Sequence, residues 1–424
     1  MQTNQIAQKT LERMRAEGFD DAQVSASSNM QDELNIAHNE PSLLRSTESH
    51  TLSLLGLLDG RKASTQLTDT SDEAIGQAIT SLFKGVQVAP QDDANAVSAQ
   101  QNASILQGPQ EGELDVLADK VSEILAYRSA HTPKMNLDEG ASAYTRVFSD
   151  VLTSRGSALA SQVGFYSLAV MGTAKEGKKS SSFNYAGGSS HDLGAHACEL
   201  FGIRDMLCDT QRQIVTQGIA APFTGDVVLA PVAVHDLMDW LRSQLSDYHL
   251  IAGSSLYRDS VGEAIASPLL SLRSRFDAPG VCAISADAFS VAPITLLDGG
   301  RLTTLLPSLY GSRKTGIAHV ASLGEGWTID PGKTSLGELV GNIKSGALVG
   351  RLSMGSPAAN GDFSGVIKNS FRIQDGQAGQ ALAEVMVTGN VARMLRDIVA
   401  VSKERIDTGA SCYPWLQIAN LHFS

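Results

Sequence analysis

Apolar residues along this chain fall into helical and alternating stretches, and the alternating ones prevail. Ile6, Leu11 and Met14 mark one side of an opening helix that Gly18 ends. Leu52-Ser53-Leu54-Leu55-Gly56-Leu57-Leu58 then runs into Asp59-Gly60 and returns through Lys62 to Leu67. Asp-Gly tolerates the positive φ of a tight turn, so this segment predicts a hairpin. Thr70-Ser71-Asp72-Glu73 has the form of a capping box, followed at helical spacing by Ile75, Ile79, Leu82 and Phe83. After Ala89 the rhythm gives way to Pro, Gln, Asp, Asn, Ser and Gly, and residues 91–112 read as a linker.

A helix carrying Leu114, Leu117, Val121, Ile124 and Leu125 follows. Long strands come next, Tyr144 to Thr153 and Ser157 to Ala174, joined by Ser154-Arg155-Gly156. The basic cluster from Lys175 to Lys179 suits a hairpin tip, and a helical stretch is expected from His191 to Val215. Pro222-Phe223-Thr224-Gly225 marks a boundary. Beyond it Asp226-Val227-Val228-Leu229-Ala230 predicts a buried strand, with Pro231 opening a helix. That helix has Val234, Leu237, Met238, Leu241 and Leu245 on its apolar side. His235, Asp239 and Arg242 share the polar side, as an ordinary Asp–Arg pair with a neighbouring histidine would. Asp298-Gly299-Gly300 predicts another hairpin. Near the C-terminus a strand over Ala383–Val387 meets Gly389-Asn390, and Asn390 can cap a helix bearing Val391, Met394, Leu395 and Ile398.

Helices and strands alternate irregularly, so the expected class is α+β rather than a doubly wound sheet. The expected partition is an N-terminal α+β domain over 1–90, a linker over 91–112, a central helix-plus-strands region over 113–221 and a large strand-rich domain over 222–424. Thirty-nine glycines agree with many turns. The net charge of −12, with no basic stripe, argues against nucleic-acid binding, which relies on Lys and Arg at phosphates. No secretory signal and no membrane-length apolar run are visible, and the scattered Cys198, Cys208, Cys282 and Cys412 form no C-x-x-C pair. The cytoplasm is the expected compartment. His191, His196 and Cys198 are the one further group with ligand chemistry. His196 and Cys198 lie two apart on an expected helix, which points them in different directions.

Gly361-Asp362-Phe363-Ser364-Gly365, then Ile373-Gln374-Asp375-Gly376, then Glu384 through Val401 occur in the order of the C-terminal signature of the TldD/PmbA family, whose members are often labelled modulators of DNA gyrase. The resemblance runs from about Thr224 to the end, where Pro414 and Leu416–Leu421 resemble the family's terminal strand. It implies an N-terminal α/β domain plus a large strand-rich C-terminal domain. It also implies a pair of subunits, a metallopeptidase and a metal-free TldE-like relative, that degrades unfolded peptides.

In the peptidase member a helix carries H-E-x-x-x-H. The matching stretch here is His235-Asp236-Leu237-Met238-Asp239-Trp240, in which Trp240 stands where the second zinc-binding histidine would be. Cys412 lies later than that member's third ligand. A catalytic zinc needs about three protein ligands, so this chain resembles the metal-free relative. Zinc is then expected in a catalytic partner and no cofactor in this chain. The expected partners are a second copy or a TldD-like subunit, together with unfolded peptides, and neither nucleic acid nor membrane. The family's cavity wall maps onto the loop Tyr310–Gly316, with Arg313, and onto Asp362, Phe363 and Ser364, where an extended peptide could add as a strand. The competing readings are an active metallopeptidase using His235 and Asp236, and a regulator acting on DNA gyrase.

Overall fold

Alternation builds the first half of the protein. In the computed structural model, which describes residues 2–424, α1 (Gln2–Glu17) leads into β1 (Asp21–Ala37), where Ala22, Val24, Ala26 and Ser28 turn inward. Gly18 ends α1 with φ 106°, which glycine reaches without a Cβ clash. β1 pairs antiparallel with β2 (Glu40–Leu58), and β2 turns into β3 (Arg61–Leu67). Asp59 and Gly60 take φ 49° and 71°, as an Asp-Gly hairpin turn requires. Helix α2 (Asp72–Val88) is capped by Ser71, whose hydroxyl accepts from the Ala74 N–H at 3.3 Å. With Ser71 at the cap, Glu73 sits one position too early to close a capping box, and it accepts from Gln77 instead.

Residues 91–112 depart from the expected linker. They carry β4 (Asn102–Gln107), and Ala94, Val97 and Ser98 are buried. After α3 (Leu114–His131) come the long strands β5 (Met135–Thr153) and β6 (Ala158–Glu176), and β4 adds in parallel to β6. Backbone pairing needs no apolar side chains, so composition did not signal it. At the end of β4 the chain passes so close to β6 that a Cβ on Gly164 would overlap the Pro109 carbonyl oxygen. β7 (Lys179–Ser180) closes the lysine hairpin, and β8 (Asn184–Ser190) returns along β6. The helix expected from 191 to 215 is only a 3₁₀ turn at Ala197–Glu199 and α4 (Ile203–Arg212). One sheet, ordered β3-β2-β1-β5-β6-β4 with β8 also on β6, thus draws strands from both the 1–90 and 113–221 regions.

The second sheet is organised by the last strand. β9 (Phe223–Leu229), α5 (Pro231–Gln244), α6 (Asp247–Ala252), β10 (Leu272–Ser274), β11 (Thr295–Asp298) and β12 (Arg301–Leu302) open it, with the expected Gly299-Gly300 turn between β11 and β12. The expected loop at Tyr310–Gly316 is α7 (Leu309–Thr315), capped by Ser308 and ended by Gly316 at φ 75°. β13 (Trp327–Ile329), α8 (Leu336–Gly341), β14 (Ser345–Val349), β15 (Arg351–Ser353), β16 (Asp362–Lys368), β17 (Phe371–Gln374) and β18 (Gln377–Ala381) follow. β19 (Val385–Asn390) ends in Asn390, whose side chain accepts from Arg393 N at 2.9 Å and so caps α9 (Val391–Arg396) as expected.

The helix stops early, because Ile398 opens β20 (Ile398–Asp407) against the closing strand β21 (Ser411–Phe423). Ile398, Val399 and Val401 are β-branched and fill a pleated surface better than a helix. β21 pairs with β9, β13, β19 and β20. No helix among the described residues is long and apolar enough to cross a membrane.

Anchoring of the 91–112 segment is testable. Gly164→Ala should destabilise the protein by about 2–3 kcal/mol, the cost of overpacking a close backbone contact. Urea unfolding reads this directly, and an unchanged midpoint would mean that the segment is loosely held.

Candidate functional site

Helix α5 places the polar residues that the sequence singles out. Pro231 at its first turn suits a helix start, having no N–H to satisfy. Ala233, Val234, Leu237, Met238 and Leu241 are buried in the main core with β9 and β21, which fixes the helix rotation. His235, Asp236 and Asp239 therefore face outward, into a cleft of about 1560 Å³. The opposite wall comes from β8 and α4, through Asn184, Tyr185, Asp205 and Asp209, and β15 with the following turn closes a third side. Arg351 of β15 spans the gap, its guanidinium stacked on Phe183 and Tyr185 at 4.7 and 4.9 Å.

Asp239 is the hub of the α5 polar face. Its carboxylate meets His235 Nδ1 at 3.3 Å and also pairs with Arg242, the arrangement that helical spacing predicts. Asp236 makes no such pair. Burial, reinforced by the charge of Asp239 and only partly offset by Arg351, pushes its pKa up to about 6. Asp209 is likewise raised, by burial first, despite its ion pair with Arg212 at 2.9 Å. Trp240 is buried, lines the cleft and meets Tyr257 edge-on at 6.3 Å. Cys412 is not part of the cleft lining. It lies at the start of β21, paired with Thr328 and Asp407, and burial raises its thiol pKa. His196 accepts from Cys198 N at 3.2 Å and caps the 3₁₀ turn. Among the described residues no three His, Cys, Asp or Glu side chains gather as a metal-ligand set.

The residues expected at a cavity wall are not brought together in the cleft. Arg313, on α7, donates to the Asp93 carbonyl at 2.7 Å in a smaller depression. There Lys314 meets Asp92 at 2.8 Å and the Tyr310 hydroxyl donates to it at 2.7 Å. These contacts, with that of Lys314 foremost, hold the Asp92 carboxyl down at about 2. Asp362 accepts from Asn360 and Asn390 side chains, both at 2.8 Å, which is turn bonding and lowers its pKa. Phe363 is buried in the core, and Ser364 pairs with Thr388 in β19. β16 lies between β15 and β19, so it is not an edge strand. The sequence reading missed Arg351, Asp209 and Asn369, which line the cleft. They lie on separate elements and form no spaced motif.

The C-terminal domain is strand-rich and sets the polar face of α5 over a large cleft. Residues 223–424 match the PmbA/TldA metallopeptidase C-terminal domain. The C-terminal part of the chain thus carries the PmbA/TldD type of domain, and the fold of the whole chain is that of TldE. TldE from Thermococcus kodakarensis superposes with a TM-score of 0.80 at 19% identity, covering 99% of this chain and 100% of that one. A candidate modulator of DNA gyrase from Bacteroides thetaiotaomicron gives 0.83 at 20% identity, covering 99% and 98%. In sequence the chain is 26% identical over 194 residues to the metalloprotease PmbA of Escherichia coli O157:H7, which is 40% of this chain and 41% of that one. It is 27% identical over 170 residues to a Methanothermobacter thermautotrophicus metalloprotease, which is 37% of each. The chain thus spans about two fifths of the length of these two relatives.

Asp236 supplies a pH test. Its folded-state pKa lies above the ordinary carboxylate value, so the folded chain holds a proton that the unfolded chain releases. The stability tied to it is fully present below about pH 4 and is lost as pH rises through about 6. Asp236→Asn should therefore stabilise the protein at pH 8 by on the order of 1 kcal/mol, kept small because water screens a part-exposed carboxyl. The advantage should vanish near pH 4. Chemical unfolding at the two pH values checks it, and equal stability at both would contradict the buried-carboxyl account.

Proposed function

We propose that this chain is a TldE-like, non-catalytic component of a metalloprotease system that processes or degrades unfolded peptides. In this reading it holds peptide, while the zinc chemistry belongs to a TldD-like partner. The observation that carries the reading is Trp240. It occupies the position of the second histidine in H-E-x-x-x-H, and an indole cannot bind a metal. His235 is engaged with Asp239, and Cys412 is outside the cleft lining. A single imidazole with nearby carboxylates does not fit a catalytic zinc, which takes about three protein ligands and keeps one open position.

Peptide holding is supported by the walls of the cleft. β8 pairs within its sheet with β6 alone, its outer edge taken by Thr408 at Ser189, and β15 pairs with β16 alone, so an edge strand from each sheet borders the opening. An extended peptide can add to such an edge through main-chain hydrogen bonds with little sequence preference. The proposed assembly is a homodimer or a heterodimer with the catalytic relative. An active metallopeptidase is the second reading, favoured by Asp236, because a carboxyl with a pKa of about 6 is suited to proton transfer near neutral pH. The gyrase-regulator reading has the net charge of −12 against it as far as DNA contact is concerned.

Metal analysis of purified protein separates the first two readings. The non-catalytic reading expects zinc well below one ion per chain and no cleavage of unfolded peptides, with or without added zinc. Stoichiometric zinc that is lost in a His235→Ala variant, together with peptide cleavage, would establish the active metallopeptidase instead.

A further inference from the structure

The cleft contains one side-chain amide that the fold leaves unanswered, besides the unpaired Nε1 of Trp240. Asn369 lines it and is 6% exposed, yet neither Nδ2 nor Oδ1 has a hydrogen-bond partner in the protein. Asn184, in the same cleft, is the contrast. Its Nδ2 donates to Thr210 Oγ1 at 3.0 Å, and its Oδ1 accepts from Tyr185 N at 3.0 Å. Buried side-chain amides in folded proteins are ordinarily paired.

The main chain fixes where Asn369 stands. β14–β15 and β16–β17 run antiparallel in one register on both sides of it, Leu348 facing Phe371 and Arg351 facing Lys368. The ladder is interrupted at Asn369, which takes φ 49°. Its neighbour across the break must be glycine, since a Cβ on Gly350 would overlap the Asn369 carbonyl oxygen. Ser370 locks the next position, its carbonyl accepting from Gln213 Nε2 at 2.7 Å and from Leu382 N at 2.9 Å. A left-handed backbone by itself accounts for an asparagine here. It does not account for a buried amide with both ends unpaired at the cleft wall, beside the edge strand β15.

We propose that the side-chain amide of Asn369 grips the main chain of an extended peptide in the cleft, donating from Nδ2 to one peptide carbonyl and accepting at Oδ1 from a peptide N–H. In an extended strand the N–H and C=O of one residue point to the same side, so a primary amide can meet both at once. Such a contact ignores the peptide's side chains. The inference rests on the peptide-holding reading above and names the residue that would anchor it.

Fluorescence anisotropy with a short fluorescein-labelled peptide of Ala, Ser and Lys tests it. Asn369→Gly should raise Kd about tenfold, the scale of losing two modest hydrogen bonds. Its thermal stability should be equal or higher, because glycine suits the positive φ. A purely structural asparagine would leave binding unchanged in that variant. N-methylation at one position of the peptide should weaken wild-type binding by a similar factor and leave Asn369→Gly binding nearly unaffected. Should Asn369→Gly fail to fold, Asn369→Asp retains the shape while losing the donor, and the same peptide comparison applies. Wild-type binding with an unchanged Kd in the folded Asn369 variant overturns this inference alone. A wild-type protein that binds no peptide overturns both this inference and the reading beneath it.

Discussion

The pairing of β21 with its neighbours is the constraint on which the C-terminal domain depends. Residues Cys412 to Ile418 are buried without interruption, and the strand bonds to β9 and β20 along its length and to β13 and β19 at its two ends. α5 packs across β9 and β21, so the direction of its polar face follows from this one strand. Tyr413 of β21 stands 6.2 Å from the His235 ring, which ties the strand to the cleft wall. Burial pushes the Tyr413 hydroxyl pKa far up, consistent with a tightly closed core beneath the cleft.

The cleft exists because two sheets meet without merging. Contacts that hold them together are local, and a small apolar cluster of Val151, Leu159 and Ala288 is one of them. They include the Lys314 and Tyr310 contacts to Asp92, Gln213 to Ser370, and Arg351 over Phe183 and Tyr185. Charge is uneven in the space between. Asp205, Asp209, Asp236 and Asp239 line it with Arg351, His235 and His249. Desolvation of Asp209 and Asp236 is tolerated at a cost in stability that no core interaction requires. Carboxyls shifted by burial in a cleft are candidates for a functional site.

Much of the fold was legible in the sequence where side-chain pattern and turn chemistry agree. Asp59-Gly60, Gly299-Gly300, Pro231 and the Asn390 cap all appear where their local rules put them. The misses share a cause. β4 is held by main-chain bonds that its composition does not announce, and α9 ends early because strand pairing with β21 outweighs helical spacing. The candidate site was legible only at α5, where one helix carries His235, Asp236 and Asp239 in sequence. Its other walls are assembled from residues far apart in the chain. Arg351 and Asn369 acquire meaning only from β8 and Gly350 opposite them. Arg313, Asp362, Phe363 and Ser364 were read through resemblance, and their side chains serve inter-domain, turn and core contacts here.

The central claim is that an unfolded peptide lies in the cleft between the edges of β8 and β15. Amide hydrogen exchange, followed with and without excess reduced and carboxymethylated α-lactalbumin, tests it most directly. The account predicts added protection in residues 184–187 and 350–354, with β16 and α7 unchanged. Protection confined to regions outside the cleft, or none at saturating polypeptide, would contradict it.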